Sequence, residues 1–469
     1  MTATRIRSTT SPVSTASHGL PASVWLVEPA VALAATLLAS SGGTWMWFAL
    51  LAVPALWLVR RLWVGGRPFV RTPYDRAVAV LLLSLPLCLL PVVDWTAAAP
   101  KLAGILGGLM LIYALARAGG SASRLVVLAS LAALLLDALI VGTGLAGTSW
   151  SAAEKIGPIQ PLVRHLPLRL HPVSRGSSNG GVNPNEVGGG AVLILPLAIA
   201  VAWGRRDPVS GPFARLQSVA LLLGAALLTC VLVISQSRSA YAGLLCEAVF
   251  CTGYLLTRRF GRHARTVAIV AATLGGLVPA LGVWLAATGS LTDASGLDSL
   301  ASRLELWQRS LRMVGDFPLT GIGPGQFDLV LHRLFPPLLV RGDVYVAHAH
   351  NWFLQLALDL GLIGAFAMLG LLRGFARGVA VAASRSTDPR LRRLALALAA
   401  GMLGYCVFGL TDAIALGARG GLGFWIVLGL GAALWRTIAH GHRPPEAGTG
   451  KPGDARIKSG DQAPSFIVS

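Results

Sequence analysis

Hydrophobic residues along this chain are gathered into long uninterrupted runs, and short polar segments rich in arginine separate the runs. A helix needs roughly 17–25 apolar residues to span a bilayer. The pattern predicts about twelve spanning helices, at residues 24–41, 44–59, 77–93, 99–117, 124–146, 187–204, 217–235, 239–257, 266–288, 351–371, 394–414 and 421–437. The expected fold class is therefore all-α, a polytopic bundle of membrane helices.

The arginines between these runs predict the orientation of the bundle, because cytoplasmic loops carry an excess of Lys and Arg. Arginines recur in alternate loops, namely Arg60, Arg61, Arg67, Arg71, Arg76, Arg117, Arg124, Arg205, Arg206, Arg215, Arg258, Arg259, Arg262, Arg265, Arg373, Arg377, Arg390, Arg392 and Arg393. These loops, and both termini, are expected on the cytoplasmic side of the membrane. Residues 1–22 are expected to form a flexible tail, 23–437 the membrane domain and 438–469 a disordered tail.

Composition supports a membrane protein and narrows its partners. Hydrophobic residues make up 54% of the chain and charged residues 13%, whereas a soluble domain carries about 25% charged residues. A net charge of +19 would otherwise suggest nucleic acid as a partner. Since the positive-inside pattern accounts for the arginines, membrane lipids are expected as partners and nucleic acid is not. The five cysteines lie in apolar runs without metal-ligand spacing, so neither a disulfide framework nor a zinc site is expected.

Two long polar loops are predicted on the opposite, extra-cytoplasmic side, at about 148–186 and 289–349. Within the second loop, apolar residues recur at helical spacing, at Leu300, Leu304, Trp307 and Leu311. They predict a short amphipathic helix that carries Arg303, ends near Gly315 and Pro318, and lies against the membrane or the bundle.

A His-Ala-His-Asn sequence at 348–351 marks the point where this loop re-enters an apolar run. Histidine is the side chain best suited to proton transfer near neutral pH. His350 is therefore a candidate base. The alternative is a structural histidine that caps the following helix together with Asn351. Gly361 and Gly364, deeper on that helix, are expected to let a neighbouring helix approach closely and hold the histidine rigidly. His348 is expected either to orient a partner or to lie in solvent.

Two arginines are candidates for binding an anion. Arg238 stands in a tight Gln-Ser-Arg-Ser turn between two spans, where a charge is costly without a partner. Its planar guanidinium could grip a phosphate in two places, or it could extend to lipid headgroups. Arg303 could do the same from the loop helix, or could lie on a solvated helix face.

Other polar residues are weaker candidates. Arg175 belongs to a basic stretch of the first long loop that could line an anionic headgroup or be solvated, and Asn185 could cap the next helix. The acidic residues within predicted spans are Asp137, Glu247, Asp359 and Asp412. They are either functional or paired with arginines. No Asp-x-Asp and no cluster of histidines and carboxylates is evident along the chain, so no metal site is expected.

Several of these motifs, in this order, resemble the O-antigen ligase family, which also contains polysaccharide polymerases. They are Arg238 in a Ser-Arg-Ser turn, Arg303 before Trp307, the Pro-Leu-x-Gly-x-Gly-x-Gly-x-Phe turn at 318–327, and His-Asn-x9-Gly-x-x-Gly beginning at His350. An Asn-x-Asn sequence at 183–185 fits more loosely. The resemblance covers residues 75–437, and the first two spans carry no signature.

The resemblance implies a GT-C type fold in a bacterial plasma membrane, with an extra-cytoplasmic active site. It implies metal-independent, inverting glycosyl transfer without a cofactor. It implies a donor glycan on undecaprenyl diphosphate and an acceptor hydroxyl, which in ligases belongs to lipid A–core in lipopolysaccharide biosynthesis. His350 would be the catalytic base, and Arg238 and Arg303 would neutralise the diphosphate. Further substrate contacts would come from Arg175, Asn185, His348 and Asn351.

Other activities remain open at this stage. A polymerase of the same architecture would join repeat units that are both carried on undecaprenyl diphosphate, and a related enzyme would glycosylate protein Ser or Thr. A transporter of the lipid-linked glycan belongs to a different class. It would use the arginines to guide the diphosphate and would not depend on a proton-transferring side chain.

Overall fold

The computed structural model describes residues 24–65, 69–147, 182–203, 212–260 and 300–441. Within these ranges the chain is helical and contains no strand. The helices are α1 Val27–Ala39, α2 Met46–Val64, α3 Asp75–Leu89, α4 Trp95–Ala118, α5 Ala122–Gly147, α6 Pro184–Trp203, α7 Pro212–Ser235, α8 Arg238–Phe260, α9 Leu300–Asp316, α10 Phe327–Leu334, α11 Trp352–Arg385, α12 Pro389–Phe408 and α13 Leu422–Gly441.

Nine of the described helices are long and apolar enough to cross a membrane, and α1 is a shorter apolar helix. The prediction of an all-α, multi-pass membrane protein is therefore confirmed. The span expected at 266–288 lies outside the described residues, as do most of the first long loop and nearly all of both tails. The last helix continues to Gly441, past the end of the run expected from the sequence.

Apolar side chains cover the outside of the bundle as well as its interior. Large residues such as Leu83, Leu223 and Phe366 are exposed. A water-soluble surface would not present so many large apolar groups, whereas lipid accommodates them. The interior holds an aromatic cluster in which Trp352 at the start of α11 packs on Tyr405, with ring centroids 5.8 Å apart. This cluster anchors the segment that precedes α11.

The links that the sequence predicts on the extra-cytoplasmic side meet at one end of the bundle. The Trp352 amide donates to the Gly409 carbonyl at 2.7 Å. The amide of Asp94, between α3 and α4, donates to Gln326 Oε1 at 2.9 Å. The loop that carries α9 and α10 is thus bound to the α3–α4 and α12–α13 links, and we call this end the loop end.

The opposite end of the bundle is basic. Glu28 at the start of α1 pairs there with Arg60 of α2 at 3.3 Å and with Arg117 of α4 at 3.2 Å. Helices α1, α2 and α4 therefore bring links of the same predicted side together. We call this the basic end.

Helix α11 is interrupted at Gly361, whose φ of 67° lies in the left-handed region. The turn between α9 and α10 fills this kink. The Ile322 amide donates to the Leu358 carbonyl at 2.7 Å, and the Leu362 amide donates to the Pro318 carbonyl at 2.8 Å. The backbone groups that the kink frees are thus satisfied by the turn, as buried backbone groups require.

The two glycines of the Gly-x-x-Gly motif have different neighbours. A Cβ at Gly361 would overlap the carbonyl oxygen of Leu319, so this glycine makes room for the turn. The sequence had suggested that it makes room for a neighbouring helix. A Cβ at Gly364 would lie 3.1 Å from Ser84 Oγ of α3. At Gly364 the expected close approach of a helix is confirmed.

The amphipathic helix expected in the second long loop is present as α9, and the face that packs on the bundle is not the one that carries the leucines of the sequence pattern. Leu304 and Leu311 are exposed and Trp307 is half-buried. The buried positions are Ser302, Leu306, Ser310 and Met313. The small serines allow this side of α9 to approach α11. Helix α10 was not predicted from the sequence, and it forms a separate small core with the buried face of α9.

Candidate active site

His350 lies at the loop end, directly before α11, in a backbone conformation rare for a residue with a side chain. Its φ is 47°, and such strain costs of the order of 1–3 kcal/mol. Asn351 caps α11 as predicted, because its Oδ1 accepts the Leu354 amide at 3.0 Å. Trp307 Nε1 donates to the His350 carbonyl at 3.2 Å. The surrounding contacts therefore fix the backbone that aims this imidazole.

The imidazole of His350 is paired with Asp412, from the link between α12 and α13. His350 Nδ1 lies 3.3 Å from Asp412 Oδ1, and both side chains are almost fully buried. Because an ionised carboxylate only accepts hydrogen bonds, Nδ1 carries the proton in this pair. The lone pair of Nε2 is then available to accept a proton.

Arg303 joins this pair from α9. Its Nη1 donates to the Thr411 carbonyl at 2.5 Å, and its Nη2 lies 3.8 Å from Asp412 Oδ2. Burial raises the pKa of Asp412, but the hydrogen bond from His350 and the charges of His350 and Arg303 outweigh burial and hold this pKa below its ordinary value. The carboxylate is therefore ionised, as orientation of the imidazole requires.

His348 packs edge-on against His350, with ring centroids 4.5 Å apart. The His350 amide donates to His348 Nδ1 at 3.3 Å. Burial, and then the charge of His350, lower the pKa of His348 to about 3. His348 is thus a neutral side chain that supports its neighbour, and the alternative that it lies in solvent is wrong.

This burial makes stability depend on pH. The unfolded chain binds a proton at His348 near the ordinary pKa of 6.5, whereas the folded chain does so only near 3. Since the unfolded state binds more protons between these values, the free energy of unfolding should decrease as pH falls through that window. We expect His348→Asn to flatten this dependence in urea unfolding of the solubilised protein. Protonation of Asp412 also lowers the free energy of unfolding, but only below the ordinary pKa of 3.8. Equal slopes of the free energy of unfolding against pH for wild type and His348→Asn, between pH 6 and about 4, would contradict the lowered pKa of His348.

Arg238 is the first residue of α8 and reaches the same region from another helix. It is half-buried, and the next residue, Ser239, shares a hydrogen bond of 2.7 Å with the Thr411 hydroxyl. None of the ion pairs found among the described residues involves Arg238. A helix N-terminus carries partial positive charge, so a guanidinium there makes this a favourable place for an anion.

Two of the predicted site residues remain, Asn185 and Arg175. Asn185 is buried in the first turn of α6, but the cap is Asn183, whose Oδ1 accepts the Asn185 amide at 2.9 Å. The expectation that Asn185 caps the helix is therefore wrong. The start of α6 packs near the Arg238 turn, since a Cβ at Gly188 would lie 2.8 Å from Ser235 Oγ. Arg175 lies outside the described residues.

Polar residues under His350 extend the site toward the bundle. Gln355 Oε1 accepts the Ala349 amide at 2.9 Å, and its Nε2 donates to Asp359 Oδ1 at 2.8 Å. Lys101 of α4 lines a small cavity with both of them. Sequence reasoning named Asp359 without a partner and missed Lys101, because a lone lysine inside an apolar run carries no motif.

A possible cation site also lies here, which corrects the sequence analysis. One ligand atom from each of His348, His350 and Asp412 falls within 4.8 Å of the others. The spacing along the chain could not reveal this cluster, because Asp412 comes 62 residues after His350. The cluster fits a metal poorly, since Arg303 already lies beside the carboxylate and His348 Nδ1 already accepts an amide.

Comparison with known families agrees with the motifs. Residues 223–369 match the family model described as O-Antigen ligase. The matched segment contains Arg238, Arg303 and His350 and ends before Asp412. No curated protein matches the chain.

Proposed function

We propose that the chain is a member of the O-antigen ligase family, whose model its residues 223–369 match, and that it transfers a glycan from undecaprenyl diphosphate to an acceptor hydroxyl at the outer face of the plasma membrane. The acceptor is lipid A–core, as in ligases. The observation that supports this proposal most is the buried His350–Asp412 pair beside Arg303 at the loop end of a helical bundle.

The proposed chemistry begins with the acceptor hydroxyl, which is a weak nucleophile. His350 Nε2 takes its proton as the oxygen attacks the anomeric carbon. The new bond forms from the face opposite the leaving group, so the configuration inverts, and the bond from the anomeric carbon to the diphosphate oxygen breaks. Asp412 holds the imidazole in place and stabilises the imidazolium that forms. The proton then passes to water.

The leaving group carries the charge that the site must stabilise. Arg238 and the N-terminus of α8 offer a guanidinium and helix amides to the diphosphate. Arg303 adds positive charge, although part of its donor capacity is taken by Thr411 and Asp412. We assign the larger share of diphosphate binding to Arg238, and Asn185, Asn351 and Arg175 are candidates for contacts with the sugar or its carrier.

Arg238→Lys tests the role of this guanidinium. Lysine keeps the charge but replaces a planar fork with a point charge, so we expect transfer efficiency to fall by about tenfold or more. The measurement is kcat/KM with a purified lipid-linked glycan. Arg312→Lys on the exposed side of α9 is the matched control and should behave as wild type. Equal rates for wild type and Arg238→Lys would rule out bidentate binding by Arg238.

Metal independence is part of the proposal. Because Arg303 already lies beside Asp412, chelation with EDTA should leave the rate of transfer unchanged. Added Zn²⁺ could occupy His348, His350 and Asp412, and it would then inhibit because it takes the base. Loss of activity in EDTA with recovery on adding Mg²⁺ would show instead that a resident cation is needed.

The architecture that accompanies this function is a GT-C type bundle of twelve spans with both termini in the cytoplasm. The alternation of arginine-rich loops along the sequence supports it, with the apolar run at 266–288 counted as one of the twelve predicted spans. The loop end would then face outward, where lipid-linked glycans are assembled onto acceptors.

The experiment that tests the function is deletion of the gene, followed by analysis of the glycan left on the lipid carrier. A ligase predicts that full-length polymer accumulates on undecaprenyl diphosphate outside the membrane. Accumulation of single repeat units would instead identify a polymerase, and loss of glycan from a protein would identify protein O-glycosylation. Retention of the lipid-linked glycan on the cytoplasmic face would identify a transporter and would exclude the proposal.

A further inference from the structure

A second cavity lies between α6, α8 and α12 and extends to the basic end of the bundle. It has a volume of about 730 Å³, and most of its lining is apolar, including Leu195, Ile199, Leu244, Phe250 and Leu396. The exposed face of α6 at Ile199 and Trp203 borders it. The cavity is therefore a groove that opens to the lipid side of the bundle.

Three arginines lie at the basic end of this groove, namely Arg258 of α8 with Arg392 and Arg393 of α12. Among the described residues, the Nε atoms of Arg392 and Arg393 are buried and have no hydrogen-bond partner. A buried donor without an acceptor costs about 1–3 kcal/mol, and more when it is charged. Arg392 also lies in the first turn of α12 and Arg393 directly follows it, close to the helix N-terminus where the dipole favours an anion.

From these contacts we infer that the groove binds a membrane phospholipid with an anionic headgroup. The phosphate lies among Arg392, Arg393 and Arg258 and accepts from the buried Nε groups, and the acyl chains follow the apolar wall. A free phosphate ion would leave that wall without a partner. Basic pockets between membrane helices bind anionic headgroups for the same reason.

Two carboxylates near the groove do not prevent this assignment. Asp388 caps α12 and pairs with Arg390 at 3.0 Å. Arg390 does not line the groove, and it offsets the charge of Asp388. Glu247 is buried in the groove wall, where its carboxyl faces Gly404 of α12. Glu247 precedes Arg258 by eleven residues on α8, which places the two roughly 16 Å apart along the axis.

The test is native mass spectrometry of the solubilised full-length protein with phosphatidylglycerol and, separately, phosphatidylcholine of the same acyl chains. Wild type should prefer phosphatidylglycerol, and the double variant Arg392→Gln/Arg393→Gln should lose about 10- to 30-fold of that preference. The control is Arg373→Gln/Arg377→Gln, on the exposed face of α11, which should keep the preference. Thermal unfolding of each variant verifies that it is folded.

A second variant separates the apolar part of the groove from its charge. Ala248 lines the groove and is exposed, so Ala248→Trp should fill the groove without disturbing the bundle and should weaken binding of both lipids. Equal affinity of wild type for the two lipids, or an unchanged preference in the folded Arg392→Gln/Arg393→Gln variant, would overturn the inference. Displacement of phosphatidylglycerol by equimolar inorganic phosphate would show a phosphate site and would overturn it as well.

Discussion

Replacing His350 with alanine is expected to lower the rate of glycan transfer by about 10²- to 10⁴-fold, the usual contribution of a general base. The acceptor oxygen would then attack without losing its proton to Nε2. Single-turnover transfer from a purified undecaprenyl-diphosphate glycan is the measurement, because it isolates the chemical step from product release. Binding of the donor should change little, since the proposed contacts with the diphosphate come from Arg238 and Arg303.

Two further variants make this test specific. Asp412→Asn keeps the shape of the pair, but an amide can donate to Nδ1 and leave the proton on Nε2, so the rate should also fall strongly. His332→Ala on α10, whose ring bonds to the Val344 carbonyl at 3.1 Å away from the site, should transfer at the wild-type rate. Normal turnover by a folded His350→Ala protein would exclude His350 as the base.

Replacing Gly361 with alanine is expected to destabilise the protein severely and to abolish transfer with it. An L-residue at φ 67° and ψ 174° costs about 1–3 kcal/mol by itself. The new Cβ would also overlap the Leu319 carbonyl. If the turn moves away, the Leu358 carbonyl and the Leu362 amide lose their partners, at roughly 1–3 kcal/mol each.

The measurement is the unfolding temperature of the solubilised protein, with unfolding monitored by intrinsic tryptophan fluorescence. Gly315→Ala on α9 is the control, because a Cβ there meets open space and alanine favours a helix. It should unfold at or slightly above the wild-type temperature. An unfolding temperature for Gly361→Ala equal to that of wild type would show that the turn does not depend on the kink.

Much of the bundle could be predicted from the sequence because a membrane span leaves a strong signal. Runs of about twenty apolar residues and alternate arginine-rich links located helices such as α5, α6 and α8. The motif around His350 gave the cap at Asn351 as well, since local backbone hydrogen bonds follow from local sequence. These features depend on neighbours along the chain.

Asp412 could not be assigned to the site from the sequence, because its contact with His350 joins residues that are distant along the chain. The apolar run continues to residue 414, whereas α12 ends at Phe408. Packing sets this end, because the Gly409 carbonyl accepts the Trp352 amide from α11. The residue that orients His350 thus becomes visible only when two helices distant in sequence are brought together.

The face of α9 that packs on the bundle could not be identified from hydrophobic spacing alone. Within a bundle that meets lipid, large apolar residues such as Leu304 and Leu311 can lie outside. Small residues such as Ser302 and Ser310 lie inside because they permit close packing. The position of Arg303 beside Asp412 follows from this packed face and could not be derived from the leucine pattern.

We propose that the protein itself breaks the bond between the glycan and its lipid diphosphate. Purified protein in nanodiscs, given an undecaprenyl-diphosphate glycan and a detergent-solubilised lipid A–core acceptor, should yield glycosylated acceptor and an equal amount of undecaprenyl diphosphate by mass spectrometry. We expect this stoichiometry for wild type and its absence for His350→Ala. Recovery of the intact lipid-linked glycan from a folded wild-type protein would contradict it.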